Sequence, residues 1–154
     1  MFFIFLVKVL VILLLFHILH SEYKFVAMGK EKIHMEYVFA KASKNTLWNY
    51  LTSSTGLSVW FADDVDVKEN MYTFTWNKSP VEAELLNIIP NSKVRFRWVE
   101  DECPESYFEF KLHTDEMTGA IVLEITDFAE PEEKDHAVSL WDSQIKELKR
   151  ILGI

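Results

Sequence analysis

The strongest constraint on the fold is a series of six short segments in which apolar and polar side chains alternate. The segments are 65–67, 72–76, 81–89, 94–99, 108–112 and 121–125. Alternation at every second position is typical of β-strands that bury one face. Turn-forming residues separate the segments, so consecutive strands are expected to pair as antiparallel hairpins. An earlier segment of the same kind at 32–39 raises the expected sheet to about six or seven strands.

The apolar positions of these strands predict a register. The predicted opposite pairs are Phe108 with Ile125, Phe110 with Leu123, Leu112 with Ile121, Trp98 with Phe108, and Phe96 with Phe110. On the reverse face, Arg97 then lies opposite Glu109, with Glu124 one strand further. Charges paired on one face and aromatics buried on the other predict an antiparallel sheet with one solvated face. A bulge near Asn87 would shift the register locally.

Two short helices are predicted between the first strand and the rest of the sheet. Leu47, Trp48 and Leu51 form one apolar face, which predicts a helix over 44–52 with Ser43 as its N-cap. The pair Thr55-Gly56 is expected to end this helix, and 57–61 is expected to form a second helical turn.

The final segment predicts one long amphipathic helix that begins at Pro131, a favourable first helical residue. Its apolar stripe comprises Ala137, Trp141, Ile145, Leu148 and Leu152. Lys146, Lys149 and Arg150 stand near its C-terminus, where cations suit the helix dipole. A helix about 30 Å long can cross the concave face of a bent sheet. The wedge between helix and sheet must then be filled by side chains or by a ligand.

The segments 42–52 and 56–65 resemble the opening signature of the START-like (SRPBCC) superfamily, in particular the branch of the C-terminal domain of Aha-type activators of a chaperone ATPase. The matching positions are Trp48, Leu51, Thr52, Gly56, Leu57, Trp60 and Phe61. The resemblance implies an α+β helix-grip fold over residues 28–154, with a curved antiparallel sheet wrapped around the C-terminal helix. The superfamily includes lipid carriers, plant hormone receptors, polyketide cyclases, toxin–antitoxin partners and chaperone cofactors, so the resemblance leaves the function open.

Large apolar residues are expected to line a cavity in this fold, as the resemblance and the excess of rigid aromatic side chains imply. The predicted lining residues are Trp60, Phe61, Tyr72, Phe74, Trp76, Phe96, Trp98, Phe108, Phe110, Leu112, Leu123, Trp141, Ile145 and Leu148. Of these, Tyr72, Trp76 and Trp98 could each donate a hydrogen bond to a ligand. The alternative is that these side chains pack against one another and leave no pocket.

Composition and charge exclude several classes of function. The formal net charge is −8 at pH 7, which leaves no basic surface for nucleic acid or for an anionic membrane. The single cysteine, Cys103, lies in an acidic loop and predicts an unreactive thiol in a reducing compartment. The five histidines have no partner at metal-ligand spacing, and no catalytic motif occurs, so the sequence predicts no metal, no cofactor and no catalytic residue.

The N-terminal segment 1–27 contains an apolar run from Phe2 to Leu19 and fits two hypotheses. It is a membrane anchor whose flanking lysines place the domain in the cytoplasm, or translation starts at Met28 and the segment is an artefact of start assignment. The second hypothesis is favoured, and under both the domain is expected to be cytoplasmic. A membrane is a partner only if residues 1–27 are genuine.

Three functions follow from these expectations. The leading hypothesis is non-enzymatic binding of a hydrophobic small molecule or lipid between the long helix and the sheet. The first alternative is a protein-interaction module that resembles the Aha-type activators and binds a chaperone or another protein. The second alternative is a cyclase-like enzyme that uses polar groups of the cavity.

Overall fold

The computed structural model of the protein describes residues 29–154, so the predicted anchor or misassigned start at 1–27 lies outside the described residues. Seven strands form one antiparallel sheet: β1 Glu31–Phe39, β2 Asp64–Lys68, β3 Met71–Trp76, β4 Ser79–Ile89, β5 Lys93–Trp98, β6 Phe108–Thr114 and β7 Ile121–Ala129. The helices are α1 Lys44–Thr52, α2 Ser54–Trp60 and α3 Lys134–Leu152, and a 3₁₀ turn at Pro131–Glu133 leads into α3. The predicted α+β class is confirmed.

The sheet order is β1-β7-β6-β5-β4-β3-β2. Strands β2 to β7 therefore follow one another as hairpins, and the last strand, β7, also pairs with the first strand, β1. This arrangement is the predicted helix-grip fold. Helix α3 lies on the concave face, where Trp141, Ile145 and Leu148 are buried. Gly153 ends the helix in a left-handed conformation with φ of 73°. Among residues 29–154, no helix is both long and apolar enough to cross a bilayer.

The predicted register is wrong by two residues at the last two hairpins. Phe110 pairs with Ile125, rather than with Leu123, and Phe108 pairs with Phe96, rather than with Trp98. A shift of two residues leaves every side chain on its predicted face, because side chains alternate with a period of two.

The tight β6–β7 turn explains the shift at that hairpin. The Asp115 carboxylate accepts hydrogen bonds from the backbone N–H groups of Met117 and Thr118, 3.1 and 2.7 Å away. These bonds close the turn tightly enough for Thr114 to pair with Ile121, a position predicted for Leu112. The alternation pattern carries no information about such side chain-to-backbone bonds.

The two-residue shift in register also changes which charged residues pair on the convex face of the sheet. Arg95, rather than Arg97, pairs with Glu109, with Nε and Oε2 2.6 Å apart. Arg97 instead donates to the carbonyl oxygen of Cys103. The expected solvated face is also partly covered, because Glu109 is only 8% exposed.

The hairpins on either side of β4 depart from regular geometry. The register shifts between Leu85 and Asn87, which confirms the bulge expected near Asn87. The β3–β4 turn is tighter than the predicted 77–80 turn. Its two residues, Asn77 and Lys78, have φ of 48° and 66°, and β4 begins directly after them.

The two short helices form as expected, but their boundary differs from the prediction. Ser43 stands at the N-cap of α1 without a side-chain capping bond. Helix α2 already begins at Ser54, so Gly56 lies inside it rather than ending α1. The break falls at Ser53, whose hydroxyl accepts a hydrogen bond from Gly56 N at 2.9 Å and caps α2.

Gly56 is required by close packing between the two short helices. A Cβ atom there would press against the carbonyl oxygen of Asn49 and lie 2.7 Å from Tyr50 Cα. Because both atoms belong to the backbone, Gly56→Ala is expected to lower the free energy of unfolding by about 1–3 kcal/mol. Denaturant unfolding measures this, with Thr55→Ala at the exposed neighbouring position as control. An equal effect of the two substitutions would contradict the close-packing explanation.

Candidate functional site

A pocket of about 440 Å³ lies between helix α3 and the concave face of the sheet. Its lining residues come from the end of α2, from three strands and from α3: Phe61, Trp76, Trp98, Asp127, Ala137, Leu140, Trp141 and Gln144. Leu140 is 54% exposed, so an apolar side chain stands at the mouth of the pocket. The pocket therefore occupies one end of the wedge between helix and sheet.

The structure divides the fourteen predicted lining residues into two groups. Phe61, Trp76, Trp98 and Trp141 line the pocket. The other ten are buried and pack into the hydrophobic core: Trp60, Tyr72, Phe74, Phe96, Phe108, Phe110, Leu112, Leu123, Ile145 and Leu148. The predicted residues therefore lie in two different parts of the wedge. Large side chains fill most of it, and the end near the start of α3 remains open.

Rings in contact hold the walls of the pocket in place. Phe61 stacks on Trp141 with ring centroids 5.7 Å apart and planes inclined by 14°. Trp76 lies 6.1 Å from Trp98, which in turn stacks on the fully buried Phe108 at 4.6 Å. Because each ring is packed against another, contacts within the protein hold the side chains of the pocket wall.

The polar ends of two predicted ligand donors are already occupied by backbone carbonyl oxygens. Tyr72 Oη donates to the carbonyl oxygen of Thr52 at 3.0 Å, and Trp76 Nε1 donates to that of Phe61 at 2.8 Å. Gln144 Nε2 also lies 3.4 Å from the carbonyl oxygen of Phe61. Tyr72 and Trp76 are therefore held by the fold, and among the described residues Trp98 Nε1 makes no hydrogen bond.

Asp127 is the lining residue that contributes most to the chemistry of the pocket. Its Oδ2 accepts a hydrogen bond from Trp141 Nε1 at 2.8 Å, and its Oδ1 accepts one from Phe128 N at 2.8 Å. Burial raises the pKa of the Asp127 carboxyl above its usual value, although these bonds and the charge of Lys30 act in the opposite direction. A carboxyl group in an apolar cleft with a raised pKa is a candidate for a functional role.

Asp127 was missed from the sequence because β7 was predicted to end at Ile125. The strand continues to Ala129, and Asp127 pairs with the buried Ile33 of β1. The alternation of Leu123, Ile125, Asp127 and Ala129 contained the signal, since it places a carboxylate on the apolar face. Ala137 belonged to the predicted helix stripe, while Leu140 and Gln144 were missed because they flank it.

Within residues 29–154, no group of three or more His, Cys, Asp or Glu side chains is placed to hold a metal ion. Cys103 is a half-buried free thiol. The pocket itself can hold an apolar group between its aromatic walls, beside the single carboxylate of Asp127.

Comparisons with known proteins agree with this architecture. The solution NMR structure of a protein from Bacteroides fragilis is 44% identical, with a TM-score of 0.59, and the match covers 81% of this chain and 93% of that one. The Aha1 dimer from Colwellia psychrerythraea is 20% identical, with a TM-score of 0.66, over 77% of this chain and 93% of that one. A Mesorhizobium loti protein is 18% identical, with a TM-score of 0.65, over 80% and 97%. The latter two show the fold alone.

A search of curated proteins found no match. The family model of the START-like superfamily domain matches residues 27–154, a range that includes every residue the structure describes. The match agrees with the seven-stranded sheet, the two short helices and the long C-terminal helix. The chain therefore belongs to the START-like superfamily.

Proposed function

We propose that this protein binds a hydrophobic small molecule or lipid in the pocket between α3 and the sheet, without catalysing a reaction. The observation that supports this most directly is the pocket of about 440 Å³ with aromatic walls. This volume falls within the range of roughly 300–1,000 Å³ that is typical of small-molecule sites. The exposed Leu140 at its mouth gives an apolar ligand a surface to contact on entry.

The rigidity of the walls supports binding further. Trp141 is fixed by its bond to Asp127, and Trp76 by its bond to the Phe61 carbonyl oxygen. A ligand that enters such a pocket does not need to order these side chains, so little of its binding energy is lost to conformational entropy.

An enzyme resembling polyketide cyclases is the second candidate, because Asp127 has a raised pKa in a cleft. Acid–base catalysis commonly pairs two titratable groups with separated roles. Among the described residues that line the pocket, Asp127 is the only titratable one. Binding without turnover is therefore the better-supported proposal.

A protein-interaction role like that of the Aha-type activators remains a hypothesis. The similarity to the Aha1 dimer is at 20% identity and concerns the fold. This role becomes the leading proposal if the pocket proves to bind no small molecule, and co-purification of a chaperone with the protein would then support it.

A variant that fills the pocket tests the binding proposal. Ala137 lines the pocket from α3, so Ala137→Phe is expected to occupy its volume and to abolish ligand binding while the fold persists. Native mass spectrometry compares the gently purified protein with its denatured mass. An extra mass that is lost on denaturation and in the variant would support the proposal.

Ser139→Phe is the matched control, because it adds the same ring at an exposed position of the same helix. Its bound mass should equal that of the unsubstituted protein. A clean apo mass that does not change with a panel of lipids and aromatic compounds would contradict the proposal.

A further inference from the structure

The ionisable side chains that line the pocket carry negative charge only. Asp127 is the only ionisable residue among the described residues that line it, and no lysine, arginine or histidine is among them. A ligand carboxylate or phosphate would therefore enter an apolar space beside a carboxylate and find no cation to pair with. Such an arrangement is unfavourable for an anion, because an unpaired buried charge is costly.

Lys30, the one cation among the described residues whose charge is found to act on Asp127, is already paired with another carboxylate. Lys30 Nζ lies 2.7 Å from Asp101 Oδ2. The Asp101 carboxylate also accepts hydrogen bonds from Ser106 Oγ and from Cys103 N. With both carboxyls ionised, Lys30, Asp101 and Asp127 together carry one net negative charge, since one positive charge stands against two negative ones.

The Asp127 carboxylate has acceptor capacity left for a ligand. Each of its oxygens accepts one hydrogen bond, from Trp141 Nε1 and from Phe128 N respectively. An ionised carboxylate offers about four lone-pair sites, so roughly two remain. The two bonds also fix the orientation of the group within the aromatic wall.

The aromatic walls of the pocket favour a cationic ligand, as the Asp127 carboxylate does. Three indoles and one phenyl ring line the pocket, namely those of Trp76, Trp98, Trp141 and Phe61. The faces of aromatic rings carry negative electrostatic potential and attract cations, and indole does so most strongly. Quaternary and protonated amines are the ligand groups that such aromatic surroundings recognise.

We propose that the pocket selects a ligand with a cationic ammonium group attached to an apolar body, the cation lying against the indoles near Asp127. The inference rests on the proposed ligand-binding function and narrows it to one charge class. The formal charge of −8 adds a long-range attraction for cations over anions. Fatty acids and other anionic amphiphiles are expected to bind poorly.

Three probes of similar size test the charge preference. Phenyltrimethylammonium carries a permanent cation, tert-butylbenzene is its uncharged isostere, and 4-tert-butylbenzoate is an anion. The readout is the indole N–H signals in the NMR spectrum, because Trp76, Trp98 and Trp141 line the pocket while Trp48 and Trp60 do not. The cation is expected to shift the first three signals and to bind about tenfold more tightly than the isostere.

Asp127→Asn tests the part played by the carboxylate. The variant keeps an oxygen acceptor for Trp141 Nε1 but removes the charge, so the preference for the cation should fall about severalfold. The exposed Asp135→Asn on α3 changes the net charge equally and should leave the preference intact. The affinity for the cation should also fall as the pH is lowered through the pKa of Asp127. Besides burial, the groups that modulate this pKa are Lys30, Asp101 and the N–H groups of Trp141 and Phe128.

The outcomes separate this inference from the proposed function. If tert-butylbenzene or the benzoate shifts the same three indole signals with equal or greater affinity, the charge preference is wrong while pocket binding stands. If the preference persists in Asp127→Asn at full strength, the carboxylate has no part in it and the inference is overturned. If no probe moves these signals and native mass spectrometry also finds no bound mass, both proposals fail.

Discussion

Phe110→Ala is expected to lower the free energy of unfolding by about 3–5 kcal/mol. Phe110 is fully buried on β6, and its ring centroid lies 6.0 Å from that of Trp60 and 5.7 Å from that of Trp141. It therefore joins α2, α3 and the sheet at one point. The large expected effect follows because contacts from three elements surround the space it would leave, so the elements cannot all collapse into it. Urea unfolding measures the loss.

Met117→Ala is the control for this substitution. Met117 is 95% exposed in the β6–β7 turn, so its truncation should change the free energy of unfolding by less than about 0.5 kcal/mol. A loss below about 1 kcal/mol for Phe110→Ala would contradict the central position given to this ring. Phe110 does not line the pocket, but its ring contacts those of Phe61 and Trp141, so its removal is also expected to disturb the pocket wall.

Trp141→Ala is expected to lower the free energy of unfolding by a similar amount, about 3–5 kcal/mol. The indole is 6% exposed, stacks on Phe61, and donates its N–H to Asp127. Its removal leaves a void and also takes a hydrogen-bond donor from the half-buried carboxylate of Asp127, and both effects are destabilising. Thermal or urea unfolding at neutral pH measures the loss in the free energy of unfolding.

A second variant at position 141 and a control at the neighbouring position divide the effect. Trp141→Phe keeps most of the apolar volume but removes the N–H, so it isolates the loss of the bond to Asp127. That bond is expected to account for about 1–3 kcal/mol, since it ends on a charged group. Leu140→Ala, at the exposed neighbouring position, should have a small effect on stability. If Trp141→Phe were as stable as the unsubstituted protein, the bond would have no structural role.

The helix-grip fold was predictable because its signals are local. The period of two in the strands and the stripe through Trp141, Ile145 and Leu148 in the last helix each depend on a few consecutive residues. The match of the segment from Trp48 to Phe61 to the START-like signature added the connectivity. These features hold whatever the exact alignment of the strands.

The register was predicted less well, because it depends on how each turn closes. The Asp115 side chain tightens the β6–β7 turn, and the bulge between Leu85 and Asn87 bends β4. The shift of two residues at the β5–β6 and β6–β7 hairpins preserved the faces, so Phe108 and Phe110 are buried as expected. It changed the charged pairs, and Arg95 takes the place predicted for Arg97.

The sequence by itself determined which side chains lie on the concave face and that one long helix would cover them, because alternation and helical periodicity are properties of the backbone. The tertiary structure alone decided which of those side chains touch one another and which border open space. Phe74, Phe96 and Phe108 meet in the closed part of the wedge, while Trp76, Trp98 and Trp141 surround a pocket. The reason is that a cavity is a difference between the volume enclosed by the elements and the volume of the side chains. That difference, like the partial burial of Asp127, depends on the curvature of the whole sheet and the position of α3.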